Sequence, residues 1–386
     1  MDDHHSEYSI GAPSLFVQSS PEVEADSYTG SDDGFEDSAD ISAPVTMSQK
    51  ANSDGAHSLS TKSMTDSVMT FQKENGRTYH GYRAGTYHFP NDPTEADRLD
   101  FQYCVIQQAT HNVLHFAPVP ESANILDIGT GTGIWAVQMG DSFPDATVEA
   151  TDLSPIQPSA VPENVQFIID DAEQEDWAVP ENHYDYIHTR ILMGCFTDFK
   201  QIVTRGFKYT KPGGWMESSD VYHTPQCDDG TMAPDWPFMK WTTAIDEASM
   251  TLDRPLRTAN KMKRWFIEAG FVDVQEKIVK LPINTWPRDR EYKKIGKWWY
   301  DNLVMGLQGF SLALLTRVMG WSKEEIEVFL ADVRKGMKDR HVHAYHRYHI
   351  VWGRKPELGE TDDLDVMPKA QCPSSGVAGQ ASRITT

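Results

Sequence analysis

The sequence predicts an α/β protein, a doubly wound and mostly parallel sheet with a helical insertion, and three observations lead there. Short apolar strands alternate with helical segments between residues 121 and 281, the pattern of a parallel sheet covered by helices on both faces. A glycine loop, Gly129-Thr130-Gly131-Thr132-Gly133, joins the first of those strands to its helix. From 282 to 344 a mostly helical stretch separates the last two strand-like runs, and an excursion of that length is a subdomain rather than a loop.

Taken in order, residues 1–70 are rich in Ser, Asp, Glu, Gly and Pro and poor in large apolar side chains. Such a segment cannot offset its chain entropy by burial, so a disordered acidic tail is expected. Its acidic patch, Ser31 to Asp37, reads as a solvated tail or as a docking motif. Residues 71–120 form an N-terminal cap segment and helix, with order beginning near Tyr79. Asp92 is a good N-cap, Pro93 takes the first helical position and Glu95 completes a capping box. Leu99, Tyr103, Ile106, Ala109, Val113 and Phe116 then recur at helical spacing, which carries the helix to about Ala117.

Residues 121–281 hold the core, with strands expected at 124–128, 147–151, 165–169, 184–188 and 214–221. Helices are expected at 134–141, 199–209, 236–251 and 258–269, followed by a strand-like run at 272–280. The insertion at 282–344 reads as a helical lid, and 345–356 as the final core strand. Beyond that, 357–386 turns polar and reads as a second disordered tail.

Composition narrows the function classes. The chain is 39% hydrophobic and 24% charged, with a net charge of −22. Roughly half of that excess sits in the first ~75 residues, leaving a mildly acidic body. No basic stripe suits a phosphate backbone, so direct nucleic-acid binding is disfavoured. No run of about 20 apolar residues is present to span a membrane. The N-terminus has neither the basic start nor the apolar run of a secretory signal. The 4 cysteines are widely spaced, without a CxxC pair, and fit free thiols in a reducing compartment. A cytoplasmic protein is expected, and nuclear entry stays open because no basic cluster argues for it.

The glycine loop carries the chemistry. Gly129, Gly131 and Gly133 let the backbone turn tightly and approach a ligand. Alone, such a loop fits any nucleotide-binding doubly wound fold. The spacing here is GxGxG, and Ile134 stands where the dinucleotide fingerprint needs its last glycine. Asp127, before the loop, suits a cationic ligand such as a sulfonium amino acid and would repel a pyrophosphate. Asp152 and Leu153 end the next strand, about 20 residues on, where an acid accepts hydrogen bonds from ribose hydroxyls. Asp171 and Ala172 follow the third strand, in reach of an adenine edge. Together these positions narrow the ligand to S-adenosyl-L-methionine.

At these residues the chain resembles the class I methyltransferases, and within them the fungal LaeA-like family. The resemblance covers about residues 75 to 355 and rests on several motifs: Tyr79-His80-Gly81-Tyr82, Pro90-Asn91-Asp92, Arg98-Leu99-Asp100, and Ile125 through Ala136. It continues in Asp152 through Pro158, Lys211 through Glu217, and Asn284-Thr285-Trp286-Pro287. The resemblance implies a Rossmann-like sheet of seven strands, the last antiparallel. It also implies a role in fungal secondary metabolism, either tailoring a metabolite or regulating its gene clusters with velvet-type protein partners. Tyr87 through Pro93 and Asp170-Asp171-Ala172-Glu173 look more like metabolite-associated paralogues than like the global regulator.

Methyl transfer needs positioning above all, and a base only where the acceptor carries a proton. His188 and Arg190, past the fourth strand, are candidates for base or substrate contact, as is Glu217 at the end of the fifth. Each also has a structural reading, as a satisfied imidazole, an ion pair and a hydrogen bond respectively. Arg98 could clamp the cofactor carboxylate or pair on the helix surface with Glu95 or Asp97. Tyr79, Tyr82 and Tyr87 either close over the cofactor or pack without touching it. Trp298-Trp299-Tyr300 either lines an acceptor pocket or fills core. The histidines at 341, 343, 346 and 349 have no accompanying cysteine, and no metal site is expected from them. The leading reading is an enzyme methylating a small-molecule acceptor. The alternatives are a regulatory methyltransferase working in a protein complex and a cofactor-binding scaffold with little turnover.

Overall fold

The computed structural model describes residues 22–26, 71–83 and 87–360. Most of the two expected tails, including the patch from Ser31 to Asp37, lies outside the described residues. A hairpin of β1 (Gln72–Glu74) and β2 (Arg77–Tyr79) comes first. Asn75 and Gly76 form its turn, both at positive φ, which suits the right-handed twist of the flanking strands. Helix α1 (Pro93–Ala109) follows, with the Asp92 side chain accepting from the Glu95 N–H. It ends earlier than the apolar spacing implied. His111 and Asn112 take left-handed φ of 55° and 60°, so Val113 and Phe116 fall beyond the helix.

The core then alternates β3 (Asn124–Ile128), α2 (Ile134–Ser142), β4 (Thr147–Asp152), β5 (Val165–Ile169) and β6 (Tyr184–Arg190). Next come α3 (Phe199–Tyr209), β7 (Thr210–Gln226), α4 (Pro237–Thr251), α5 (Met262–Ala269) and β8 (Val272–Pro282). The insertion contains α6 (Arg290–Arg317) and α7 (Lys323–Lys338), and β9 (Tyr345–Arg354) closes the sheet. The sheet runs β5-β4-β3-β6-β7-β9-β8. Strand β9 is antiparallel to both neighbours, while the remaining pairings are parallel. This is the seven-stranded class I methyltransferase sheet with its last strand antiparallel.

Alternation along the strands separates two cores. Ile125 and Tyr186 face Trp135 and Met139 of α2 on one side. Their neighbours Leu126 and Ile187 face Ile202 of α3 and Phe266 of α5 on the other. A third core unites α1, α4, α6 and α7 around Phe101, Trp241, Trp299, Leu307 and Leu330. The insertion is therefore built into the body through α1 rather than hinged over it. Gly296 lets α6 also lie close against the chain leaving β8, since a Cβ there would lie 2.2 Å from the Asn284 carbonyl oxygen.

One part of the expected tail is docked. Ala25 bridges Pro287 in antiparallel fashion, the Asp26 N–H donates to the Trp286 carbonyl and the Arg288 N–H to the Glu24 carbonyl, each at 2.9 Å. The Asp26 carboxylate lies 2.6 Å from Lys293 Nζ and 3.3 Å from Arg340. A disordered reading of residues 22–26 is thereby corrected: backbone pairing and two cations compensate for their scarcity of apolar side chains.

Candidate active site

At the carboxyl ends of β3 to β6 lies a cavity of about 1060 Å3, open to solvent. Its floor is the glycine loop. Gly129 and Gly131 sit at φ +68° and +60°, a region costly for residues with a Cβ, and both line the cavity. Gly133 does not. A Cβ there would strike the Phe167 ring at 2.4 Å, so this glycine serves the packing of α2 against β5. The Thr130 hydroxyl is buried without a partner among the described residues.

Asp152 braces the loop from β4. One carboxylate oxygen accepts from the Gly131 N–H and the other from the Ser154 N–H, both at 2.9 Å. Burial pushes its carboxyl up to about 6, with these two N–H groups opposing the shift. Leu153, Asp171 and Ala172 line the same cavity, with Ile156 and Phe196 supplying apolar wall. The Arg83 guanidinium closes on Asp171 at 3.0 Å. Arg190, at the end of β6, faces the cavity from the far side and lies 4.4 Å over the Tyr103 ring.

Other predicted site residues lie elsewhere. Asp127 does not line the cavity; its Oδ1 is 2.8 Å from His188 Nδ1, and the imidazole stacks on Trp135 at 3.7 Å. His188 is 3% exposed and its Nδ1 is committed to Asp127, so the pair ties β3 to β6 under α2, and neither residue is in the cavity lining. Glu217 is corrected likewise. One of its oxygens accepts from the Phe116 and Ala117 N–H groups at 2.8 and 2.9 Å, pinning the chain that follows α1. Arg98 pairs with Glu95, the second of its two expected roles, but buried rather than on the surface, and it donates to Asn302 Oδ1 at 2.9 Å. It lines a second cavity, not the glycine-loop one.

That second cavity, a chamber of about 760 Å3, adjoins the first, with Tyr87, Leu99, Gln102, Ile191 and Cys195 on the walls of both. Its sides are aromatic and apolar, from Phe89, Trp241, Trp299, Leu303 and Phe310. Trp299 therefore lines this chamber, while Trp298 packs against Phe101. Of Tyr79, Tyr82 and Tyr87, which the sequence leaves either to close over the cofactor or to pack without touching it, Tyr87 lines both cavities. His341, His343, His346 and His349 disperse to Asp339, Asp229, Trp299 and Glu276 respectively. Sequence reasoning missed Thr130 and Gln102 on the glycine-loop cavity and His223 in the chamber. No local motif marks His223, which becomes visible only when β7 and α6 are placed together.

Comparison with known proteins fits this geometry. The methyltransferase domain family matches residues 101–276. The chain is 38% identical over 296 residues to methyltransferase pytC of Aspergillus terreus, covering 76% of this chain and 91% of that protein. It is 36% identical over 290 residues to secondary metabolism regulator LAE1 of Cochliobolus heterostrophus, covering 74% and 94%. With protein-methionine methyltransferase laeA of Emericella nidulans it shares 33% over 308 residues, covering 79% and 82%. At such identity, over most of each chain, the protein belongs to the LaeA-like family of class I methyltransferases.

Proposed function

We propose that this enzyme transfers the methyl group of S-adenosyl-L-methionine to a small-molecule acceptor held in the aromatic chamber. The adjacency of the two cavities carries the reading: one floored by the glycine loop, with Asp152, Asp171 and Thr130 in its lining, shares five wall residues with a more aromatic one. The donor set fits the cofactor. Asp152 keeps a further lone pair on each oxygen for ribose hydroxyls, and Thr130, with its unpartnered hydroxyl, lines the same cavity. Asp171 and Ala172 would meet the adenine edge, and Arg190 the carboxylate of the amino-acid end. Asp127 takes no direct part, because it lies outside the cavity lining with one oxygen held by His188. When bound, the cofactor supplies an electrophilic methyl on sulfur. The protein contributes alignment, worth up to about 7–11 kcal/mol in favourable cases.

Titration calorimetry tests this. S-adenosylhomocysteine should bind, and Gly131→Arg should abolish binding by filling the cavity from a left-handed position. Binding of NADH without S-adenosylhomocysteine would sink the reading. A labelled-methyl screen of metabolite extracts then looks for the acceptor. The regulatory reading, with a velvet-type partner, draws on the names of the relatives. Label in a protein rather than a metabolite would favour it.

A further inference from the structure

The chamber holds two histidines whose hydrogen bonds distinguish them. Trp299 Nε1–H donates to His346 Nδ1 at 3.1 Å, which occupies that lone pair and leaves the ring proton on Nε2. His223 Nε2 lies 3.1 Å from the Thr242 carbonyl oxygen. A carbonyl only accepts, so Nε2 carries the proton and Nδ1 presents a lone pair. No partner for that Nδ1 exists among the described residues, and the ring lines the chamber. A second unsatisfied group shares the wall. Arg98 donates to Asn302 Oδ1, and Asn302 Nδ2 is left buried without a partner among the described residues, in a residue 1% exposed. His346 Nε2 is likewise buried without a partner among the described residues, so this largely aromatic chamber offers one free acceptor and two free donors to a ligand.

Resting on the methyl-transfer reading above, we propose that the chamber takes a flat, apolar acceptor bearing a weakly acidic hydroxyl, a phenol or an enol, and that His223 Nδ1 receives its proton. The O–H bond breaks and its proton passes to Nδ1. The hydroxyl oxygen takes the methyl group on its own electron pair, and the pair of the broken carbon–sulfur bond stays with sulfur. Asn302 Nδ2 donates to a second oxygen of the acceptor. Burial lowers the basicity of His223, with Asp246 opposing and Arg257 adding to the effect, so the ring enters the reaction neutral. The other titratable groups lining the chamber are His346 on β9, Glu95 and Arg98 on α1, and Tyr87 and Cys195, whose hydroxyl and thiol burial pushes up. His346 is held still more firmly neutral, at about 3, chiefly by burial, and its occupied Nδ1 excludes it as base.

The test uses the full chain and para-nitrophenol, whose absorbance distinguishes phenol from phenolate. Titrations with and without S-adenosylhomocysteine should show binding, with more phenolate when bound than when free at the same pH. In His223→Gln the side-chain amide can still reach the Thr242 carbonyl but offers no basic nitrogen. The phenolate excess should vanish, S-adenosylhomocysteine affinity should hold within about twofold, and turnover of hydroxyl acceptors should fall about 10²–10⁴-fold. Asn302→Ala should weaken phenol binding without removing the phenolate excess. An unchanged phenolate fraction in His223→Gln, or a wild-type chain that binds S-adenosylhomocysteine and no phenol, overturns the proposal while the methyl-transfer reading stands. Phenol binding with ionisation but no S-adenosylhomocysteine affinity overturns the methyl-transfer reading, and the transfer step with it, while His223 keeps its place as the group that takes the proton.

Discussion

Asp127 and His188 lie opposite each other on β3 and β6, Oδ1 to Nδ1 at 2.8 Å, with the Trp135 indole stacked flat on the imidazole. The residue that the loop motif offers to a cationic ligand is instead the buried partner of a neighbouring strand. His188→Ala strands the Asp127 carboxylate, and an unsatisfied buried group costs about 1–3 kcal/mol. A melting temperature lowered by several degrees is expected, with methyl transfer per folded molecule within about threefold of wild type. A stable variant with turnover lost would return His188 to the chemistry.

Arg190 should behave oppositely. It has no carboxylate partner among the described residues and rests on Tyr103, a contact worth roughly 0.5–1 kcal/mol when exposed. Arg190→Ala should weaken S-adenosylhomocysteine about tenfold or more with little change in melting temperature. Arg190→Lys should fall between, keeping the charge but losing the fork. Calorimetry reads all three, and unchanged affinity in the alanine variant removes Arg190 from the site.

Two carboxyls predict how stability follows pH. Asp220, fully enclosed and accepting from the Leu192 and Val221 N–H groups, is pushed up to about 7 by burial, and Asp152 to about 6. Both start from 3.8. A raised carboxyl favours the fold while protonated, so its contribution is complete below pH 3.8 and is lost as pH rises through 6 to 7. A tenfold difference in proton affinity between the folded and unfolded chain is worth about 1.4 kcal/mol. The melting temperature of Asp220→Asn relative to the parent should therefore move in the variant's favour by a few degrees from pH 5 to pH 8. This shift comes on top of a pH-independent cost, because the amide nitrogen cannot accept the N–H that one Asp220 oxygen takes. Thermal melts at both pH values decide it, and a difference that does not move with pH contradicts the assignment.

The docked segment at residues 22–26 depends on Asp26. With Asp26→Ala, Lys293 and Arg340 lose a shared carboxylate. Amide exchange at Asp26 and Arg288 should accelerate about tenfold or more, with global stability down by about 1 kcal/mol or less. Unchanged protection at both amides would show that backbone pairing alone holds the segment.

How much was legible follows from the range of each interaction. The alternation of strands and helices, the N-cap at Asp92 and the glycine spacing at 129–133 are local, so the sequence alone determined most strands and helices, the start of α1 and the loop. Glu95, however, turns its carboxylate to Arg98 rather than closing the expected capping box. Asp152, Leu153, Asp171 and Ala172 follow strand ends, and a strand's end fixes where its next residues emerge, so they too were readable. The end of α1 was not, because the left-handed turn at His111 and Asn112 interrupts a pattern that stays apolar through Phe116. Only the tertiary structure decided which acids and histidines face ligand. Asp127 and His188 are 61 positions apart and Phe116 and Glu217 101 positions apart, and each pair satisfies itself across the fold. Trp299 likewise takes the His346 nitrogen and leaves His223 the free one. A buried polar group must find a partner, and that partner comes from whichever element the packing brings near rather than from the residues beside it in the chain.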